Sequence, residues 1–373
     1  MERGFIHDSL NRLGLTFYSY GNYYCAGSPA ALDSLFGIKY VMALNDLAEE
    51  KNYERRVCAE DTMIYQNPYV LPFAVAGTPA LNEVVLGDNV FENLNAVWKG
   101  LSGGSGDIFV SENAVSFSAH NDTEDLTVEA DALTNWEEES EEAVSETYIE
   151  YTFTAQQDGP VYLFDMMALK TGMGQTTPSI QYVGTYKKGD TVRGEFRPTV
   201  GGYFTTRQFK TICSCLRFAY AVPDVLASYA AALQEKSGTV VKESERVLTG
   251  ELTADENTTL FFSIPWDEGW TCYIDGEKAE IVQSCGCFMT VAVPAGTHTY
   301  EMRFFPAWMK TGIVISIVSL AACVVYLILF NKYTKKEEPV TENEPSSDDT
   351  PETERTGALP ETVPEIPAKE VTT

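Results

Sequence analysis

The chain has 373 residues, with 54 acidic against 26 basic side chains, a net charge of −28 and 44% apolar residues. That is enough length and apolar content for at least two cores. A charge this negative, without a basic stripe, excludes the phosphate-neutralising contacts of a nucleic-acid-binding protein. Residues 1–310 carry 43 acidic and 21 basic groups and residues 331–373 carry 11 and 5, so both parts are acidic.

Residues 1–104 read as a mixed α/β segment. Ser28 as N-cap, Pro29 at the first helical position and Gly37 just past the end frame a helix over AALDSLF, and a buried strand from Ile38 to Leu44 follows. A second helix runs from Asp88 to Lys99, capped by Asp88 and closed by Gly100. Val90, Phe91, Leu94, Val97 and Trp98 lie on one face of it. Beyond the SGGSG stretch at 102–106 the apolar period changes to two, over Ile108–Ser118, Thr147–Thr154, Val161–Met167, Ser179–Tyr186 and Ile212–Ala221. Short strands separated by Gly, Asp and Pro turns predict a first β-sandwich over 105–222. The run Glu137–Glu142, five glutamates in six residues, reads as a solvated loop.

A connecting helix is expected within 223–238, from Pro223 to Lys236, stopped by Gly238. A second strand series follows: Arg246–Leu252, Thr258–Ile264, Thr271–Ile274, Glu280–Gln283, Phe288–Val293 and Thr297–Phe305. It predicts another sandwich over 239–308, with Asp275-Gly276 as a type I′ hairpin turn. Thr311–Phe330 is a run of 20 residues without a charge, the length that crosses a hydrocarbon core of ~30 Å, with Trp308 and Tyr333 at its ends. The second sandwich would then stand on the lipid surface as a membrane-proximal module. From Glu337 the chain is rich in Pro, Glu and Thr, and the tail 331–373 is expected to be disordered. The fold class is therefore mainly β with some α: two β-sandwich, jelly-roll-like modules after a mixed segment, one C-terminal transmembrane helix and an acidic tail.

Lys332, Lys335 and Lys336 follow the apolar run and Arg303 and Lys310 precede it, which puts the tail in the cytoplasm and residues 1–308 outside the cell. Met1–Tyr20 lacks the basic start and apolar core of a signal peptide, so either earlier helices of a larger membrane protein did the translocation, the favoured reading, or the chain is inverted and its acidic part cytosolic. Eight cysteines in a chain this long do not define a disulfide scaffold. The pairs Cys213/Cys215 and Cys285/Cys287 would place both sulfurs on one face of a strand, and they read as small buried hydrophobes rather than metal ligands.

Phosphate-binding loops, zinc-protease motifs and the nucleophile elbow are absent, so neither a cofactor nor a catalytic residue is assigned. Two aromatic concentrations remain, FYSYGNYY at 17–24 and WDEGW at 266–270. Rings beside Asn and Asp suit stacking on sugar rings, or equally packing at a sheet edge and a turn at headgroup depth. Tyr18, Tyr20, Asn22, Tyr23 and Tyr24 are the carbohydrate-contact candidates. His298, between two strands, reads as an imidazole that hydrogen-bonds its turn.

The strings LTFYSYGNYYCAGSPAALDSLFGIKYVMA, YQNPYVLPFAVA, FENLNAVWKGLSG, IPWDEGWTCYIDGEKAEIV and VAVPAGTHTYEMRFFPAWMKTGIVIS resemble the C-terminal part of the YfhO family of bacterial polytopic membrane proteins. The last block is the most specific, with Gly269-Trp270, Asp275-Gly276, Ala295-Gly296-Thr297-His298, Pro306 and Gly312 in the family's order. The resemblance implies the cell membrane, an upstream polytopic membrane domain, and extracytoplasmic transfer of polyprenyl-linked sugars to lipoteichoic acid or a related cell-envelope polymer. In such glycosyltransferases the catalytic acid lies in an early external loop, and this sequence contains no counterpart, so the chain alone is expected to be inactive. A stand-alone, single-span envelope carbohydrate-binding or scaffold protein is the alternative.

Overall fold

The computed structural model describes residues 8–18, 21–23, 28–43, 47–59, 62–120, 125–129, 148–165, 180–196, 212–254 and 256–334. The chain forms two compact units, residues 1–309 and 310–373. The first is mainly β, as expected, and its strands pair antiparallel in sheets of two to five strands.

Two four-stranded sheets enclose one core. The first sheet runs Thr191–Phe196, Tyr148–Thr154, Ser116–His120, Asp125–Glu129, and the second runs Ile180–Tyr186, Gly159–Asp165, Leu216–Ala221, Phe109–Glu112. Phe218 of the second sheet packs 4.8 Å from Tyr151 and 5.3 Å from Phe153 of the first. The strand Gly159–Asp165 (GPVYLFD) is apolar without alternation because both its faces are covered. Val161 and Leu163 enter the core between the sheets, while Tyr162 and Phe164 enter a central core built with the helices Ala30–Leu35, Val90–Ser102 and Pro223–Glu235.

A five-stranded and a four-stranded sheet enclose a third core. The four-stranded sheet has the order Val282–Ser284, Phe288–Val293, Thr258–Pro265, Ala74–Gly77, so one of its edges comes from the N-terminal segment. In Thr258–Pro265, Leu260 and Phe262 face the third core while Phe261 faces the central one. The helical layer thus lies between two sheets that each bury both faces.

Several local expectations are corrected. Pro29, extended at φ −72° and ψ 157°, takes the N-cap position, because the Ser28 hydroxyl donates to the buried Asp33 carboxylate at 2.6 Å. The expected buried strand is Tyr40–Ala43 at the edge of a three-stranded sheet. Only one of its faces meets a core, so Val41 is buried while Tyr40 and Met42 are 56% and 71% exposed. The second helix starts at Asn89, whose side chain accepts from the Phe91 amide, and runs through Gly100 to Gly103 at φ +76°. Gly100 is tolerated inside the helix because a Cβ there would stand 3.1 Å from the Leu81 Cα and 2.9 Å from Val84 Cγ2. Cys213 and Cys215 sit in the helical turn 212–215, and Cys285 and Cys287 in a turn with φ +52° at Cys285, so neither pair follows strand alternation. All four are buried free thiols, and burial pushes Cys213 and Cys285 up to about 12.

In the second unit, Met309–Thr334 forms a 26-residue helix, ~39 Å long at 1.5 Å per residue. Among the described residues it is the one helix long and apolar enough to cross a membrane. The tail expected to be disordered lies, from residue 335, outside the described residues, as do Glu137–Glu142.

Candidate functional site

The aromatic segment contains a two-stranded hairpin, Thr16–Tyr18 against Gly21–Tyr23, with Tyr18 paired to Gly21, Phe17 to Asn22 and Thr16 to Tyr23. By this register Tyr18 and Tyr23 occupy positions of one parity and Asn22 the other. Tyr20 and Tyr24 lie outside the described residues. In the WDEGW segment, the Gly269 amide donates to Asp267 Oδ1 at 2.7 Å and Trp270 packs 5.0 Å from Phe304. A Cβ at Gly269 would meet the Phe305 carbonyl at 2.7 Å, so this turn closes tightly onto the last strand. His298 Nδ1 lies 2.6 Å from Asp275 Oδ2, and Asp275 Oδ1 accepts the Thr299 amide at 2.8 Å. That hydrogen bond holds His298 above its usual range and Asp275 below its own. The pair ties the Asp275-Gly276 turn to the strand Gly296–Phe304, so the imidazole bonds a turn 23 residues away in the chain, where the sequence suggested its own.

Two further places are assembled only in three dimensions. The first is a buried charged centre. Asp33 and Lys51 are fully buried and paired at 3.1 Å, and Tyr53 and Ser28 each donate to Asp33 at 2.6 Å. Next in the chain, Glu50 is 5% exposed and its Oε1 has no hydrogen-bond partner among the described residues. Desolvation pushes Glu50 up to about 7, against the opposing pull of Lys51. Its backbone carbonyl accepts the Tyr162 hydroxyl at 2.8 Å, which joins the centre to the sheet of Gly159–Asp165. Glu50, Lys51, Tyr69 and Tyr162 border a cavity of about 20 Å³, the size of one water molecule. No sugar fits there. Its carboxylate is suited to holding a proton near neutrality, and the centre as a whole to fixing the chain.

The second is an open groove of about 540 Å³, within the range of small-ligand sites. Its floor begins at Gly37, whose φ of +65° turns the chain out of the helix Ala30–Leu35. A side chain at Gly37 would press on Ser263 Oγ, 3.3 Å from the Cβ position. The opposite wall, Val70–Phe73, is held by main-chain bonds: Leu71 N to the Ser34 carbonyl at 3.1 Å and Ser263 N to the Phe73 carbonyl at 3.0 Å. Gln234 Nε2 donates to the Val70 carbonyl at 2.9 Å, so the helix Pro223–Glu235 braces the same wall. Two half-buried rings flank the opening, each backed by a core ring: Phe36 by Phe288 at 5.3 Å and Phe73 by Phe262 at 5.6 Å. Lys39 stands at the rim with its ammonium 5.5 Å from the Tyr40 ring. Ser263 is 8% exposed and its hydroxyl has no hydrogen-bond partner among the described residues.

The match to known families covers all of these places. Residues 3–180 and 221–316 match the family described as "Bacterial membrane protein YfhO". The chain belongs to the YfhO family. It is 20% identical over 341 residues to "Uncharacterized protein YfhO" of Bacillus subtilis (strain 168), an alignment that covers 83% of this chain and 37% of that protein. The chain thus spans well under half the length of this relative. No solved structure matches it. Family membership and the apolar helix make this a membrane protein with, among the described residues, one candidate span, Met309–Tyr333.

The groove escaped the sequence reading because its parts come from residues 36–39, 70–73 and 263–264, and no local pattern joins them. One signal was visible: YVLPF and SLFG place aromatic residues beside Pro and Gly, where backbone turns outward. For the charged centre the signal was Asp33, a charge in a short helix whose other residues are apolar except Ser34.

Proposed function

We propose that this chain is the extracytoplasmic C-terminal part of a YfhO-type system that supports transfer of sugars from polyprenyl-phosphate carriers to lipoteichoic acid or a related cell-envelope polymer. The catalytic membrane core lies outside this chain in this reading. The observation that carries it is the family match over 3–180 and 221–316, which reaches into the apolar helix. Residues 1–308 face the exterior and the lysines at 332, 335 and 336 hold the tail inside. Tyr18, Tyr20, Asn22, Tyr23 and Tyr24 present rings and an amide to the acceptor saccharide.

Transfer from a lipid-phosphate donor needs a fixed carboxylate and cationic groups at the bilayer interface. Glu50, a carboxyl that burial pushes up to about 7, is enclosed beside a cavity of about 20 Å³ and cannot reach such a donor. The chain alone, reconstituted in liposomes with a labelled polyprenyl-phosphate sugar and a wall-polymer acceptor, is therefore expected to give no turnover. Turnover abolished by one carboxylate substitution would overturn this. In a complete family member, Tyr18→Ala and Tyr23→Ala should each weaken glycosylation several-fold at an unchanged melting temperature, as loss of one stacking ring predicts. A large loss of stability with normal glycosylation in the folded fraction would make the segment a packing element.

A further inference from the structure

We propose that the groove between Phe36, Lys39, Phe73 and Ser263 is a binding site for a neutral saccharide. This rests on the reading above that the chain handles carbohydrate, and it places a contact outside the aromatic hairpin.

The occupant follows from what the groove leaves unsatisfied. Phe36 and Phe73 are fixed from behind by Phe288 and Phe262, so each offers a pre-set apolar surface without further ordering. Between them Ser263, a residue 8% exposed, has a hydroxyl that is open to solvent and without a hydrogen-bond partner among the described residues. A purely aliphatic occupant would seal that hydroxyl away unpaired, an unfavourable outcome. A sugar ring offers both surfaces at once, C–H groups for the phenyl rings and hydroxyls for Ser263 and the Lys39 ammonium. Lys39 has no carboxylate partner among the described residues and remains free to donate.

Charge decides between neutral and anionic saccharides. A polyanion must approach residues 1–310, which carry 43 acidic against 21 basic groups, and the groove opposes that field with one exposed lysine. The size of the groove, about 540 Å³, suits a short stretch of glycan.

Ligand-observed NMR on the full chain in nanodiscs, with cellotetraose, maltotetraose and chitotetraose as neutral probes and glycerol phosphate as the anionic one, tests the site. At least one neutral probe should bind saturably at millimolar concentration, while glycerol phosphate should not compete. Ser263→Ala removes the hydroxyl and Phe73→Leu removes a ring while keeping apolar volume. Each should weaken binding about three- to tenfold, the loss expected for one hydrogen bond or one stacked ring, at an unchanged melting temperature. Ser263→Ala keeps the test valid if Phe73→Leu loosens the core. Absence of binding by all three neutral probes, or tighter binding of glycerol phosphate, overturns the site. Binding that survives both groove variants but disappears in Tyr18→Ala places the sugar on the hairpin, which overturns the groove and leaves the proposed function standing. Failure of the proposed function is read separately, from glycosylation by the complete family member.

Discussion

At the residue scale, the most consequential side chain outside the groove is Glu50. A carboxylic acid whose folded value is raised from 4.5 to about 7 binds its proton more tightly in the native state than in the unfolded chain. Its contribution is present below pH 4.5 and lost as the pH rises toward about 7, by about 3 kcal/mol for a shift of this size. Melting temperatures of residues 1–309 should therefore fall across that interval, and Glu50→Gln, which stays neutral, should remove that part of the slope. A slope unchanged in the variant would assign it to other groups. The neighbouring Asp33–Lys51 pair behaves differently. Both side chains are fully buried, so each charge depends on the other, and Tyr53 and Ser28 complete the coordination of the carboxylate. Such a pair fixes which strands and helices can meet more than it adds net stability.

At the scale of an element, the hairpin Trp270–Ala279 shows how two residues set a turn. Asp275 and Gly276 both have positive φ, +50° and +84°, and Ile274 pairs with Glu277 across them, the geometry of a type I′ turn. A side chain at Gly276 meets nothing within 4 Å, so the effect of Gly276→Val should be backbone strain alone, about 1 to 3 kcal/mol. Thermal unfolding of residues 1–309 measures it, and an unchanged melting temperature would remove the hairpin interpretation. Asp275 also receives His298 and Thr299, which sews this turn to the strand Gly296–Phe304. Its lowered value means that its stabilisation is present above the usual 3.8 and lost as pH falls further, while the raised value of His298 means that its share is present below 6.5 and lost as pH rises beyond it. The bond is thus strongest at mildly acid to neutral pH. NMR titration of His298 should give a value above 6.5, returning toward it in Asp275→Asn.

At the scale of the whole molecule, two expectations concern organisation. The strand Ala74–Gly77 supplies an edge of the sheet Thr258–Pro265, and its Ala74 and Ala76 belong to the same core as Leu260 and Met289. A fragment of residues 239–308 should consequently melt without a cooperative transition, whereas residues 1–308 should show one; circular dichroism distinguishes the two. For orientation, the proposed topology, with the lysines after the apolar run on the inner side, predicts that a variant whose one thiol stands at Ser346 resists an impermeant reagent added to intact cells. Strong labelling would reverse the topology.

Periodicity and turn chemistry were sufficient for the fold class, the positions of most strands, the Asp275-Gly276 hairpin and the apolar helix, because each depends on residues close in sequence. The strand Gly159–Asp165 shows where that stops: its unbroken apolar run says that both faces are covered, and only the assembled layers reveal by what. Gly100 reads locally as a helix terminator, yet the close approach of Leu81 and Val84 makes it a packing position. The charged centre and the groove were beyond sequence for the same reason. Asp33 meets Lys51 and Tyr53 through side-chain bonds, and Phe36, Phe73 and Ser263 line one groove, although Ser263 lies 227 residues after Phe36 in the chain. Hydrophobic patterning specifies which side of an element turns inward, but the partner it finds there is chosen by the packing of all the layers together.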